Sequence, residues 1–216
     1  MSDFNRRAVV GGALGLALAS RPALAHNHHG TPTIFATGGT FLPPQGGQPL
    51  FPRYLMSLVK TRAPRICWLG AASGEDPVAY ALFQQRMTRL GCSVSHFNIF
   101  HPDTVDFADY LHGFDIVYVN GGSSRNLMAL WREWGFDRAL YSAWQAGVVM
   151  AGHSAGFICW FQGGLTDSYS KALGPVKAMG FLAGSADPHY NIRPDRRTRF
   201  RELIADGQLE SPGLAL

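Results

Sequence analysis

Residues 146–161 read AGVVMAGHSAGFICWF, and the fold turns on how that stretch is read. Val148, Val149 and Met150 form a short apolar run closed off by Gly147 and Gly152, the pattern of a strand buried on both faces of a parallel sheet. Gly152-His153-Ser154-Ala155-Gly156 follows at once. This is a G-x-S-x-G sequence, whose small residues allow a sharp strand-to-helix turn that lifts the serine hydroxyl into the open. Phe157, Ile158, Trp160 and Phe161 are then expected to begin a mostly buried helix. Because a helix N-terminus favours negative charge developing beside it, Ser154 is the candidate nucleophile. A tight turn with an incidental serine is the other reading of the same residues.

Working back from that turn, Asp115–Val119 reads as another buried strand, running into Asn120-Gly121-Gly122-Ser123-Ser124-Arg125-Asn126 and a helix over Leu127–Trp134. A glycine pair at a strand end leaves amide N–H groups unobstructed, which suits either an oxyanion hole or a turn needed only for helix packing. Thr33–Thr37 and Ile66–Leu69 are further strands, each ending in glycine. Val94, His96 and Ile99 suggest one more, and Pro77–Leu90 has helical spacing. Short strands alternating with helices predict an α/β protein with a parallel sheet covered on both faces. Ligands gather beyond the carboxyl ends of such strands, so Gly121-Gly122 and Ser154 should share one rim.

The chain has 216 residues, enough for one well-buried α/β domain. It is 46% hydrophobic and 16% charged, which excludes dominant disorder, and its net charge is only +4. No basic stripe interleaved with stacking aromatics is present, so no nucleic-acid partner is expected. Gly38-Gly39-Thr40 lacks the Lys-Ser/Thr of a phosphate loop, so no nucleotide cofactor is expected either. Cys67, Cys92 and Cys159 lie in apolar surroundings without C-x-x-C spacing and read as buried thiols.

Residues 1–25 read as an export signal. Arg6-Arg7 precedes an apolar run from Ala8 to Ala19, and Ala23-Leu24-Ala25 offers small residues for cleavage. The arginine pair is twin-arginine-like, and the run is shorter than the roughly 20 residues that span a bilayer. The expected mature protein is therefore periplasmic or otherwise exported and free of the membrane. It has a flexible start over residues 26–32 and one α/β domain over residues 33–216. His26, His28 and His29 read as a solvated tail, and no metal site is expected.

A serine hydroxyl needs a base, and downstream of Ser154 the chain has a single histidine, His189, in Asp187-Pro188-His189-Tyr190. His153 adjoins the serine, but neighbouring side chains diverge around a tight turn, so His189 is the candidate base. His96 and His101 are read as structural or loop residues. For the acid that orients the imidazole, Asp187 and Asp167 both remain open.

Taken together, Gly-His-Ser-Ala-Gly before Ile158-Cys159-Trp160-Phe161, Asn-Gly-Gly-Ser-Ser with Leu127 and Trp131, and Asp-Pro-His-Tyr before Arg196, Arg197 and Phe200 resemble the dipeptidase E (α-aspartyl dipeptidase) family of serine peptidases, to which cyanophycinases are related. The resemblance covers residues 33–216. It implies a flavodoxin-like sheet similar to class I glutamine amidotransferases, with Ser154 as nucleophile, His189 as base and the amides of Gly122 and Ala155 as oxyanion hole. It also implies Arg196 as the guanidinium that holds an acidic substrate side chain. The expected substrate is a short peptide, with N-terminal aspartate a particular candidate, and the expected state is a monomer or homodimer.

The resemblance also places the triad acid on a loop beyond Gly207–Leu216, so the sequence is expected either to be a fragment or truncated product lacking that acid and its closing segment, or to make do with a dyad or Glu210. Two other readings stand beside the exported serine exopeptidase. One is a non-catalytic binding domain or degenerate peptidase without its acid, and the other is an α/β-hydrolase esterase. Only 62 residues follow Ser154, short for the esterase fold.

Overall fold

The structure is a computed structural model that describes residues 30–39, 41–42, 47–169 and 172–216. The export signal over 1–25 and the histidines at 26, 28 and 29 lie outside the described residues.

Five short apolar runs pair as parallel strands: β1 (Ile34–Thr37), β2 (Arg65–Leu69), β3 (Ser93–Phe97), β4 (Ile116–Val119) and β5 (Val149–His153). Their order is β1-β5-β4-β2-β3. Read from the other edge, the last four strands have the spatial order of a flavodoxin-like sheet, and the N-terminal strand β1 takes the far place beside β5. Every residue of β4 is buried, because helices cover both faces.

Alternate side chains go to opposite faces, as the two-residue period of a strand requires. Cys67, Leu69, Val117, Val119 and Met150 join one core with Leu127, Trp131, Phe136 and Leu140. Ile66, Trp68, Ile116, Tyr118 and Val149 join the other with Leu55, Phe83 and Met87. The helices that supply these residues include α1 (Leu50–Ser57), α2 (Pro77–Arg89), α4 (Ser124–Trp134) and α5 (Phe136–Gln145), while the short α3 (Phe107–His112) adds Phe107 and Leu111. The N-terminus of α2 is fixed by Asp76, whose carboxylate accepts from the Val78 and Ala79 amides ahead of Pro77. Ser123 caps α4 by accepting from the Asn126 amide, which sets where the Gly121-Gly122 loop ends.

The expected helix after Ser154 is a correction. α6 (Ala155–Ile158) makes one turn, and Phe161 already begins a strand, β6 (Phe161–Tyr169). The reason lies in Gly163-Gly164. A Cβ at Gly164 would stand 2.4 Å from the Ala186 carbonyl oxygen and 2.8 Å from the Ile158 side chain, so the backbone here must pass another strand closely. β6 pairs antiparallel with β7 (Ala172–Lys177) and parallel with β8 (Leu182–Asp187), and β8 pairs parallel with β9 (Gly213–Ala215). This second sheet, in the order β7-β6-β8-β9, shares the first core through Phe161, Val176 and Ala186. Its other face receives Phe200 and Leu203 of α7 (Pro194–Ala205).

Candidate active site

Ser154 sits at the end of β5 with φ 54° and ψ −110°, a left-handed conformation that costs a non-glycine residue of order 1–3 kcal/mol and persists only where surroundings enforce it. Its amide donates to the Thr37 carbonyl at 3.1 Å, and its carbonyl accepts from Phe157 and Ile158. The flanking glycines are sterically required. A Cβ at Gly152 would lie 2.3 Å from the Gly156 carbonyl oxygen, and one at Gly156 would lie 2.2 Å from that of Val119.

The turn brings Ser154 Oγ to 2.9 Å from His189 Nε2, hydrogen-bond distance. His189 also has positive φ, 60°, just past the end of β8. Its amide donates to Gly38 O and its carbonyl accepts from Ile192 and Arg193, so a fixed loop aims the ring. Burial, and then the positive charge of Arg196, push the imidazole below its ordinary value. Asp167 opposes them and Arg193 adds to them. The ring is therefore neutral near pH 7, the form that accepts a proton.

His153 ends β5, next to the serine. Its Nδ1 is 2.8 Å from Tyr118 Oη, and burial, followed by the charge of His189, lowers it to about 4. Its ring bonds Tyr118, whereas the Ser154 hydroxyl bonds His189.

The Asn120–Asn126 loop lies against the serine. A Cβ at Gly121 would stand 3.2 Å from Ser154 Cβ and 2.7 Å from His153 Nε2. Gly122 has φ 140°, and a Cβ there would lie 2.1 Å from the Ala72 carbonyl oxygen, which accepts from the Ser123 amide at 2.7 Å. The 3₁₀ turn Ala71–Ser73 thus serves as the backstop that fixes Gly122. The loop after Gly70 is expected on this rim, but its contact with Gly122 joins residues far apart in the chain and leaves no mark in the sequence. Ala155 opens α6, where the first amides have no carbonyl behind them.

Of the two acids left open, Asp187 has no exposed surface, and burial pushes its carboxyl up to about 6 against the opposing effect of Arg196. Its Oδ1 accepts from Arg196 Nε at 2.8 Å. Asp167, near the end of β6, accepts from Arg193 at 3.0 Å and acts on His189 through its charge. Among the described residues no carboxylate bonds the His189 ring directly.

Arg196 is buried. Its side chain is 1% exposed, with Nε donating to Asp187 and Nη2 to the Leu165 carbonyl, 31 residues away, at 2.6 Å, while Nη1 stands 3.9 Å from Asp167. Helical position gave the sequence reading no means to tell this arginine from Arg197, Arg199 and Arg201, which are solvated or surface-paired. His96, read as structural for want of a partner, has one: Glu75 lies 2.7 Å from its Nε2. All three cysteines are free and buried, and burial raises each thiol.

A strained serine at a strand end, a neutral imidazole on its hydroxyl and a glycine loop beside it define a serine hydrolase of the α/β class. Residues 34–216 match the model of peptidase family S51, and the chain belongs to that family. It is a serine-type peptidase acting on peptide substrates. Among curated proteins it is 40% identical, over 173 residues, to an uncharacterized peptidase, YgaJ, of Bacillus subtilis (strain 168), covering 80% of this chain and 75% of that one. Two solved structures share the fold. One is a peptidase E candidate from Listeria monocytogenes EGD-e (18% identity, TM-score 0.59, 80% of this chain and 86% of that one). The other is a peptidase from an acI-B1 Actinobacterium (19%, 0.57, 81% and 77%). No helix among the described residues is long and apolar enough to cross a membrane.

Proposed function

We propose that the chain is an exported exopeptidase that hydrolyses short peptides through an acyl-enzyme on Ser154. The observation that carries this is the 2.9 Å contact between Ser154 Oγ and His189 Nε2. Ser154 Oγ attacks the scissile carbonyl carbon while His189 takes its proton. The resulting oxyanion is met by the amides of Gly122 and Ala155, and collapse expels the amine, which receives the proton from His189. Water then repeats the sequence on the ester. Asp167 holds the imidazolium electrostatically, in the role left open between it and Asp187.

A fluorophosphonate tests the nucleophile: the parent protein should be labelled at residue 154 and Ser154→Ala should not. Equal labelling of both overturns the assignment. Arg196 bonds Asp187 through Nε and the Leu165 carbonyl through Nη2, so a preference for N-terminal aspartate would draw on its remaining Nη1 or on other residues. Comparing turnover of aspartyl and alanyl dipeptides decides it. Export through residues 1–25 rests on Arg6-Arg7, the apolar run and Ala23-Leu24-Ala25. It predicts a mature protein beginning at His26 in the periplasmic fraction, and a cytoplasmic protein that keeps residues 1–25 overturns it.

A further inference from the structure

A groove of about 500 Å³ lies between α4 and the second sheet. The charged side chains lining it are Arg125, Arg132, Lys177 and Glu210, three positive against one negative. Two of its lining residues follow the candidate catalytic loops closely in the chain. Arg125 is in the first turn of α4, three residues after Gly122, and Tyr169 ends β6 two residues after Asp167. The Arg125 guanidinium carbon stands 4.6 Å over the centre of the Tyr169 ring. Stacking fixes a guanidinium while leaving its in-plane N–H donors free, and among the described residues Arg125 has no carboxylate or carbonyl partner. Arg132 is bonded to the Lys177 and Ala178 carbonyls and shapes the far wall.

The chemistry says which part of a substrate reaches that wall. His189 returns its proton to the departing amine, so the departing residue lies on the His189 side of the serine, the side acted on by Asp167 at the end of β6. In a dipeptide, that residue ends in an α-carboxylate. We infer that Arg125, stacked on Tyr169, binds the C-terminal carboxylate of the departing residue, so that the enzyme selects short peptides with a free C-terminus. A planar guanidinium with two parallel donors suits a carboxylate, and the surplus positive charge of the groove favours its approach. The inference rests on the Ser154–His189 reading.

The test compares one dipeptide as free acid and as C-terminal amide. The parent enzyme should show a KM about tenfold lower for the acid with similar kcat, which corresponds to about 1.4 kcal/mol of uniform binding. Arg125→Gln should raise the KM of the acid to that of the amide, and Arg125→Lys should restore part of the preference. A parent enzyme that does not distinguish acid from amide overturns the site without need of any variant, as does an Arg125→Gln enzyme that keeps the preference. Fluorophosphonate labelling of the parent separates the two levels. A labelled enzyme without acid preference removes the carboxylate site alone, whereas an enzyme unlabelled at Ser154 removes the reading beneath it.

Discussion

Arg196 Nε donates to Asp187 Oδ1 across 2.8 Å in a place where neither side chain reaches solvent. Asp187 ends the strand that delivers His189, so this buried pair ties α7 to the base of the catalytic loop. Removing one partner of such a pair strands a charge. Arg196→Ala should therefore lower folding stability by about 3–5 kcal/mol. Urea denaturation checks it. A variant of parental stability whose KM alone rises would instead assign Arg196 to the substrate.

The same pair gives a pH signature. Asp187 titrates near 6 in the folded protein, above its ordinary 3.8, so the folded state holds that proton more tightly than the unfolded chain. Its contribution to stability is complete below about pH 4 and is lost as pH rises through 6, amounting to about 3 kcal/mol. Asp187→Asn should flatten this part of the stability profile, measured by thermal unfolding between pH 4 and 7.

His189 must be neutral to accept the serine proton, and its surroundings push it below 6.5. The acid limb of kcat/KM should accordingly have a midpoint under that value. Since the charge of Asp167 raises the imidazole, Asp167→Asn should move the limb to lower pH. It should also reduce kcat, by less than the order of 10⁴ that loss of a directly bonded triad acid costs, since Asp167 acts on the ring through its charge. A pH–rate profile of both proteins reads both effects.

Gly122 at φ 140° has no room for a Cβ against Ala72 O. Gly122→Ala should displace the loop and cost on the order of 10²–10³ in kcat, the usual penalty for losing one oxyanion donor. KM should change little, and steady-state kinetics on a short peptide checks both.

Sequence alone determined the parts of this protein that depend on near neighbours. Apolar runs between glycines marked the strands of the parallel sheet, because a doubly covered strand has no polar face to show. Gly152, Ser154 and Gly156 announced their turn because only small residues fit where the chain passes within contact of its own carbonyls. The candidate base, His189, was the one histidine downstream of Ser154. Tertiary structure decided what depends on residues distant in the chain. It turned Phe161 from a helix into the second sheet, because Gly164 meets Ala186, and it buried Arg196 against Asp187 and Leu165 O. It also set Ala72 behind Gly122 and laid Arg125 on Tyr169. Backbone conformation is fixed by sterics a few residues wide and leaves its mark on composition. Which side chains share a buried space depends on how strands and helices far apart in sequence come to pack.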